Sequence, residues 1–349
     1  MLLYIHIPYC DSKCYYCSFN SYTDKFDTRE DYMKALYIDL EYQLKDIKYK
    51  SIKTIFIGGG TPSTIKPSLY RDIFNLIKPY LINSCEITTE ANPNSASYEW
   101  LEGIKKLGIN RISFGVQSFN EDKLKRLNRS HSPQIAIEAI KNANIIGFEN
   151  ISLDIIYSFE RDTKALLKDD IDIAFSLPIN HISAYELTIE DGTKFANTPQ
   201  VKVDSLDISY FIRDEITKRG FKQYEVSNYG TYQSIHNIGY WKLDDYIGVG
   251  AGAVGFRDNQ RLYTQTNIDR YISNPNYRDI EELSSSDILM EKLLLGFRSI
   301  VGVDRKILDK DMIKRANYLV ERDKIYIEDG VYYNRDFLLS DEVALYILG

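Results

Sequence analysis

The sequence predicts an α/β fold, a partial (β/α)6 barrel followed by a small C-terminal winged-helix-like domain. Over the first two thirds of the chain, short apolar runs alternate with longer helical patterns, which is typical of a parallel sheet with helical crossovers. Residues suited to chemistry follow six successive predicted strands, at the edge where βα barrels carry their active sites. An open doubly wound sheet would gather them at one crevice instead, so the spread favours the barrel.

The barrel prediction rests on strands that are separated by helices. The predicted strands are Leu2–Pro8, Thr54–Gly60, Cys85–Pro93, Arg111–Ser118, Asn150–Ser158 and His181–Thr188. A first helix follows the first strand, where apolar residues recur at helical spacing from Met33 to Ile47. Further helices are predicted over residues 67–80, 97–107, 132–146 and 161–176. These elements assign residues 1–228 to the barrel.

The last third of the chain has a different pattern. Residues 229–280 are rich in Gly, Tyr and Trp, and we expect an irregular functional segment there. Residues 281–349 read as two helices and a hairpin, in which Lys324–Glu328 and Val331–Asn334 flank the tight-turn pair Asp329-Gly330. Helices followed by a hairpin predict the winged-helix-like domain.

The composition excludes several classes of protein. Hydrophobic residues make up 44% and charged residues 27% of the chain, and the formal charge is −7. A negative chain is a poor match to nucleic acid, which is bound by clustered Lys and Arg. No stretch approaches the ~20 apolar residues of a membrane span, and the N-terminus lacks the pattern of a signal peptide. With four cysteines, three of them close together, a disulfide framework is not expected. We therefore predict a cytoplasmic protein without a membrane segment.

The clustered cysteines form the strongest local signal. Cys10, Cys14 and Cys17 follow the first predicted strand with the spacing CxxxCxxC. Thiolates are the usual ligands of iron–sulfur clusters, and three of them on a cubane of four irons leave one iron open. That open iron suits a small chelating molecule. The sequence therefore predicts a 4Fe–4S cluster on these three residues.

Three other interpretations of the cysteines remain open at this point. Cys14 and Cys17 alone would make a thioredoxin-type CxxC pair, although Cys10 would then have no role. A zinc site could recruit His6, but such sites usually combine two separated ligand pairs. Covalent haem attachment requires a histidine directly after the second cysteine of a CxxC pair, where this chain has Ser18.

Five further segments complete a resemblance to a known family. They are Tyr4–Cys10 (YIHIPYC), Gly58–Pro62 (GGGTP), Glu90–Pro93 (EANP), Phe114–Ser118 (FGVQS) and Leu153–Tyr157 (LDIIY). With the CxxxCxxC loop, they resemble the radical S-adenosylmethionine superfamily, in its oxygen-independent coproporphyrinogen oxidase branch. The resemblance covers residues 4 to about 260 and implies the partial barrel and the open-iron cluster.

The resemblance also implies a binding site for S-adenosylmethionine, which would chelate the open iron. Tyr4 would lie near the adenosyl group, and Gly59, Gly60 and Thr61 would contact the methionine part. The other positions that would hold this cofactor are Glu90, Gln117, Arg129, Asp154, Glu186 and Val254. From the residues alone, Arg129 could equally be a solvated charge, whereas Asp154 stands in an apolar run, where a buried carboxylate is costly unless it is paired.

Two features separate the subfamilies of this branch. The decarboxylating oxidases carry an extra cysteine two positions after the third ligand and a substantial extension before the cluster loop. This chain has Phe19 at that position, and its first ligand is residue 10. The haem chaperones have the pattern CxxxCxxCxF and a downstream HNxxYW motif, found here as His236, Asn237, Tyr240 and Trp241. An imidazole ligates haem iron well and aromatic rings pack against a porphyrin, although the same residues would also make a structural histidine among core aromatics.

The resemblance therefore implies a haem chaperone that binds a 4Fe–4S cluster, S-adenosylmethionine and haem, and delivers haem to respiratory enzymes. The acceptor would be membrane-associated, and dimerisation is a family-level expectation. Whether the chain is an enzyme stays open, because oxidative decarboxylation of coproporphyrinogen III or another radical reaction is the alternative. Two departures affect the substrate side: Ser158–Arg161 replaces the family's usual Leu-Pro-Gly-Gln, and Val254 stands where haem chaperones often have histidine.

Overall fold

A single sheet of 12 strands runs through the computed structural model, which describes all 349 residues. Its strands are β1 (Leu2–Ile7), β2 (Ile52–Gly59), β3 (Leu81–Ala91), β4 (Arg111–Gln117), β5 (Asn150–Tyr157), β6 (His181–Glu186), β7 (Lys222–Gln223), β8 (Asn228–Gly230), β9 (Tyr246–Val249), β10 (Val254–Arg257), β11 (Gln260–Tyr263) and β12 (Asp279–Glu282). The spatial order is β12-β11-β10-β9-β1-β2-β3-β4-β5-β6-β8-β7. Strands β9 and β1 to β6 are parallel, and antiparallel strands continue the sheet on both sides. The predicted partial barrel is confirmed.

Nine helices accompany this sheet, and most of them cover its outer face. They are α1 (Arg29–Gln43), α2 (Pro67–Ile77), α3 (Tyr98–Lys106), α4 (Glu121–Arg126), α5 (Pro133–Ile146), α6 (Lys164–Phe175), α7 (Leu206–Thr217), α8 (Ile235–Trp241) and α9 (Ile268–Ser273). Local sequence signals explain several ends. Ser132 caps the N-terminus of α5, and Gly147, with a φ of 97°, ends it in the left-handed conformation that glycine adopts without strain.

The two faces of each central strand have different chemistry. Ile55 and Ile57 on β2 are fully buried in the main hydrophobic core, which the helices share. The alternate residues of β2 point into the barrel, where the ring of Phe56 stacks on that of Tyr4 at a centroid distance of 6.4 Å. The interior is polar along β3 to β6, and this places ionisable side chains where water is largely excluded.

The segment 229–280 is more regular than the sequence indicated. It contains α8, α9 and strands β9 to β11, and β9 pairs parallel to β1 from Leu2↔Tyr246 to Ile5↔Val249. These short strands were missed because runs of four residues carry little periodicity. The domain boundaries derived from the sequence stay a prediction.

The C-terminal residues form a second, smaller core. It contains α10 (Ser285–Phe297), β13 (Val303–Asp304), α11 (Lys310–Glu321), β14 (Ile325–Glu328), β15 (Val331–Asn334) and α12 (Ser340–Leu348). The predicted hairpin is present, and both Asp329 and Gly330 have the positive φ that its tight turn requires. Phe297 and Tyr332 are among the fully buried side chains of this core. None of the helices in the chain is long and apolar enough to cross a membrane.

Candidate cofactor site

The cysteine loop lies at the carboxyl end of β1, where the sequence placed it. Cys10 is buried, Cys14 and Cys17 are half-buried, and none of them forms a disulfide. All three line one cavity of about 460 Å³. The loop is tied back to the barrel through hydrogen bonds between the backbones of Cys10 and Tyr22 and of Tyr22 and Pro8. Three thiols that face one cavity fit a cluster better than a CxxC pair with an idle third cysteine.

Two side chains form hydrogen bonds with the cysteine sulfurs. Thr61 Oγ1 lies 3.3 Å from Cys10 Sγ, and Arg129 Nη1 lies 3.1 Å from Cys14 Sγ. Hydrogen bonds to ligand sulfurs tune the reduction potential of iron–sulfur clusters. Burial raises the pKa of Cys10 and Cys17, whereas the hydrogen bond with Thr61 lowers the pKa of Cys10 and so favours the thiolate that iron needs.

Arg129 is a half-buried side chain that is held by hydrogen bonds, rather than a solvated charge. Besides Cys14, its guanidinium donates to Asn92 Oδ1 at 2.7 Å and to the carbonyl of Gly115. Asn92 in turn donates to Thr61 Oγ1 at 3.0 Å. Arg129, Asn92 and Thr61 therefore link three strand ends to the cysteine loop. Asn92 was not singled out from the sequence, although its position in the EANP segment directly after β3 is the signal that could have found it.

The glycine run at the end of β2 packs too closely against neighbouring residues to carry side chains. Gly59 has a φ of 104°, and a Cβ there would lie 2.3 Å from His6 Cε1. At Gly60 a Cβ would meet the carbonyl oxygen of Ile7 at 2.7 Å. Both glycines line the cavity, so the backbone forms this wall and can approach a ligand closely.

Two carboxylates, Glu90 and Asp154, also line the cavity. Glu90 Oε2 accepts a hydrogen bond from the Gly59 N–H at 3.2 Å, and Asp154 Oδ1 accepts one from Ser113 Oγ at 3.3 Å. Burial, and secondly the proximity of Asp154, raises the pKa of Glu90 to about 8. Burial raises the pKa of Asp154 to about 6. A cationic ligand in this cavity would favour the ionised form of both groups.

The remaining predicted cofactor residues divide into two sets. Gln117 and Glu186 line the cavity, and Gln117 has a φ of 72°, an uncommon conformation that aims the side chain away from the strand direction. Tyr4 and Val254 are outside the lining. The Tyr4 hydroxyl instead lies 3.0 Å from His6 Nδ1. Their roles at the cofactor stay predictions.

His6 does not face the cysteines as a zinc ligand would. Its Nδ1 bonds Tyr4 and its Nε2 lies 2.8 Å from the Asn20 carbonyl. Nor do any three Cys, His, Asp or Glu side chains of the chain surround a single ion position. The arrangement suits a cubane, in which each thiolate binds a different iron.

The HNxxYW motif lies at the other end of the barrel. It forms α8, which closes the end where the strands begin: Gly239 packs on Leu2, and His236 Nδ1 lies 2.8 Å from Thr54 Oγ1. Because β1 has six residues, the two ends are about 20 Å apart. The structure therefore does not bring the predicted haem residues together with the cysteines.

His236 is enclosed among aromatic rings at this end. Its side chain is 0% exposed, and its ring lies 5.3 Å from that of Phe56 and 4.6 Å from that of Tyr240. Burial, and secondly Arg111, lowers the pKa of His236 to about 3, so the imidazole is neutral. Its Nε2 and the indole Nε1 of Trp241 are buried without a hydrogen-bond partner. Asn237 is half-buried on the same helix.

The fold and the cysteine loop define a radical S-adenosylmethionine protein. A family model described as Radical SAM superfamily matches residues 4–173. The coproporphyrinogen III oxidase HemN from Escherichia coli, described as a radical SAM enzyme, superposes with a TM-score of 0.82 at 18% identity, covering 99% of this chain and 89% of that one. At that identity the likeness concerns the fold alone.

Two curated relatives narrow the family. A Bacillus subtilis (strain 168) protein named heme chaperone HemW is 33% identical over 320 residues, covering 87% of this chain and 84% of the relative. The Escherichia coli (strain K12) protein of the same name is 37% identical over 317 residues, with the same coverage of both chains. This chain belongs to the heme chaperone HemW family.

Proposed function

We propose that this chain is a haem chaperone, which binds haem and delivers it to haem-requiring respiratory enzymes. The observation that carries the proposal is the similarity over most of the chain to relatives named heme chaperone HemW. Phe19, in place of the oxidases' additional cysteine, supports the same subfamily. A cytoplasmic location, a membrane-associated acceptor and a homodimer belong to this proposal.

The cluster and S-adenosylmethionine would occupy the cavity at the carboxyl ends of the strands. Cys10, Cys14 and Cys17 would ligate three irons, and the cofactor would chelate the fourth. When bound, this pair supplies one-electron chemistry at the sulfonium. The backbone of Gly59 and Gly60 would lie along the methionine part, and Glu90 and Asp154 would accept hydrogen bonds or balance the sulfonium charge.

Haem binding through the HNxxYW motif requires a rearrangement. All four histidines are buried, with exposures of 4% for His6, 4% for His131, 1% for His181 and 0% for His236. Of the two ring nitrogens of His236, Nε2 has no hydrogen-bond partner. In the tautomer in which Nδ1–H donates to Thr54, the lone pair of Nε2 is free to bind iron. We propose that α8 leaves the end of the barrel when His236 binds haem, with Asn237, Tyr240 and Trp241 around the porphyrin.

An anaerobic haem titration of the cluster-reconstituted protein tests this function. We expect saturable binding by the wild type and weaker binding by His236→Ala. The matched control is His181→Gln, at a buried histidine whose nitrogens are both partnered, by Ser152 and Tyr224. Absence of saturable binding by the wild type would contradict the chaperone function. Equal binding by wild type and His236→Ala would contradict only the site.

A further inference from the structure

Arg111 is a buried cation inside the barrel, and it forms none of the ion pairs of the chain. It is the first residue of β4 and only 2% exposed. Its Nη1 and Nη2 lie 3.5 Å from Thr88 Oγ1 and from His181 Nδ1, at the limit of a hydrogen bond, and its Nε has no partner. A buried guanidinium without a carboxylate partner is costly unless charges nearby balance it.

Carboxylates flank the Arg111 layer on both sides. On one side Glu86 accepts hydrogen bonds from Tyr232 and from the backbone of Ile235 and His236. On the other side lies the carboxylate pair of the cofactor cavity. Arg111 pairs in register with Thr88, and Glu90 stands two residues further along β3. Ser113, two residues after Arg111, donates to Asp154. Since residues two apart on a strand share a face, the Arg111 layer lies about 7 Å below the layer of Glu90 and Asp154.

We propose that Arg111 is a positioning residue for S-adenosylmethionine, because its fixed charge favours the ionised form of Glu90 and Asp154, which the cationic cofactor needs. This inference rests on the proposed placement of the cofactor at these carboxylates. Arg111 would not touch the cofactor itself, since it lies one layer beneath.

The other groups that face the pair do not supply this charge in the same way. Desolvation of their hydroxyls raises the pKa of Tyr4 on β1 and of Tyr185 on β6, so both are uncharged near neutral pH. Arg129 lowers the pKa of Asp154 from the opposite side, but its donors are used by Cys14, Asn92 and Gly115. Arg111 lowers the pKa of both carboxyls, against the larger effect of burial.

Equilibrium binding of S-adenosylmethionine to the reconstituted protein between pH 6 and 9 tests the proposal. For the wild type we expect affinity to rise with pH through about 8, the pKa of Glu90. Arg111→Gln should move this rise upward by about one pH unit, the effect of removing a charge about 7 Å away at intermediate dielectric. The affinity loss should therefore approach about tenfold near pH 7 and shrink towards pH 9.

Two further variants separate electrostatics from structure. Arg111→Lys keeps the charge and should keep the wild-type pH profile, even if Arg111→Gln folds poorly. Glu90→Gln should flatten the rise near pH 8, and adding Arg111→Gln to it should cause little further change. Iron and sulfide content and circular dichroism confirm that each variant is folded and loaded.

The outcomes distinguish this proposal from the proposed function. Loss of affinity by the same factor at every pH, or an unchanged profile in Arg111→Gln, would overturn the role of Arg111. A wild type that binds the cofactor without pH dependence would overturn it as well. A wild type that binds haem but no S-adenosylmethionine would remove the cofactor site and with it this inference, while the chaperone function stands.

Discussion

The carboxylate of Glu86 lies beneath the N-terminus of α8 and accepts the backbone N–H of His236 at 2.9 Å. The same carboxylate accepts the N–H of Ile235 at 2.9 Å and the hydroxyl of Tyr232 at 2.7 Å. The first N–H groups of a helix have no partner within it, and a negative charge there is favourable. Glu86 therefore fastens the helix that carries the HNxxYW motif to the barrel.

We predict that Glu86→Gln destabilises the protein by about 2–4 kcal/mol, because an amide oxygen cannot replace a buried carboxylate that accepts three hydrogen bonds. The measurement is guanidinium unfolding of the apo-protein. Glu86 and the exposed Glu149 both line a second cavity, of about 340 Å³, so Glu149→Gln is the control and should have a near-neutral effect on stability. Equal stability of Glu86→Gln and wild type would show that Glu86 does not hold α8.

Glu86→Gln should increase haem affinity, although it lowers the stability of the protein. If His236 binds haem only after α8 leaves the barrel, a weaker fastening lowers the cost of that opening. We expect Glu86→Gln to bind haem more tightly than wild type, and the Glu86→Gln/His236→Ala double variant to lose the gain. An unchanged haem affinity in Glu86→Gln would mean that haem binds with α8 in place.

We predict that the raised pKa of Glu90 makes the stability of the apo-protein depend on pH. Its pKa is raised from 4.5 to about 8 in the folded chain, so it favours the folded state fully only below pH 4.5. Above that pH the Glu90 carboxyl ionises in the unfolded chain but stays protonated in the folded chain. The contribution of Glu90 to stability is therefore lost as pH rises through about 8. Wild type should therefore lose stability relative to Glu90→Gln between pH 4.5 and 8. As a control, the stability of Glu102→Gln, at an exposed position, should change with pH in parallel with that of wild type. A stability curve for Glu90→Gln that also runs parallel to wild type would contradict an uncharged Glu90 in the folded chain.

Arg129→Lys tests the paired hydrogen bonds that the Arg129 guanidinium donates at the cysteine loop. A lysine keeps the charge but cannot donate in the same planar geometry to Cys14 and Asn92. We expect S-adenosylmethionine affinity to fall by about tenfold, the loss of one good charge-assisted hydrogen bond. Arg126→Lys, at the arginine paired with Glu160, is the matched control for equilibrium dialysis. Unchanged affinity in Arg129→Lys would limit Arg129 to supporting the loop.

The sequence predicted the barrel well because its strands are long and apolar. Strand β4 was expected at Arg111–Ser118 and is found at Arg111–Gln117, and β15 was expected and found at Val331–Asn334. The residues that line the cavity were predicted from the family resemblance, and the clustering of glycines and carboxylates close to strand ends agreed with it. The pairing of β9 with β1 was missed, since partners distant in the chain leave no local pattern.

The burial of His236 could not be predicted from its motif. A histidine beside Tyr240 and Trp241 has the same local pattern whether the aromatic rings surround a ligand or the imidazole itself. The deciding neighbours, Phe56 and Thr54, come from β2, about 180 residues earlier in the chain. Only the three-dimensional arrangement shows that α8 fills the end of the barrel.

Iron and sulfide content after anaerobic reconstitution tests the central claim, the cluster on Cys10, Cys14 and Cys17, most directly. Wild type and Cys85→Ser, a control at the isolated buried cysteine, should each hold about four irons and four sulfides per chain and absorb at about 400 nm. Cys14→Ala should lose most of both and the absorption with them. Full iron and sulfide in Cys14→Ala, or a loss in Cys85→Ser equal to that in Cys14→Ala, would contradict the assignment.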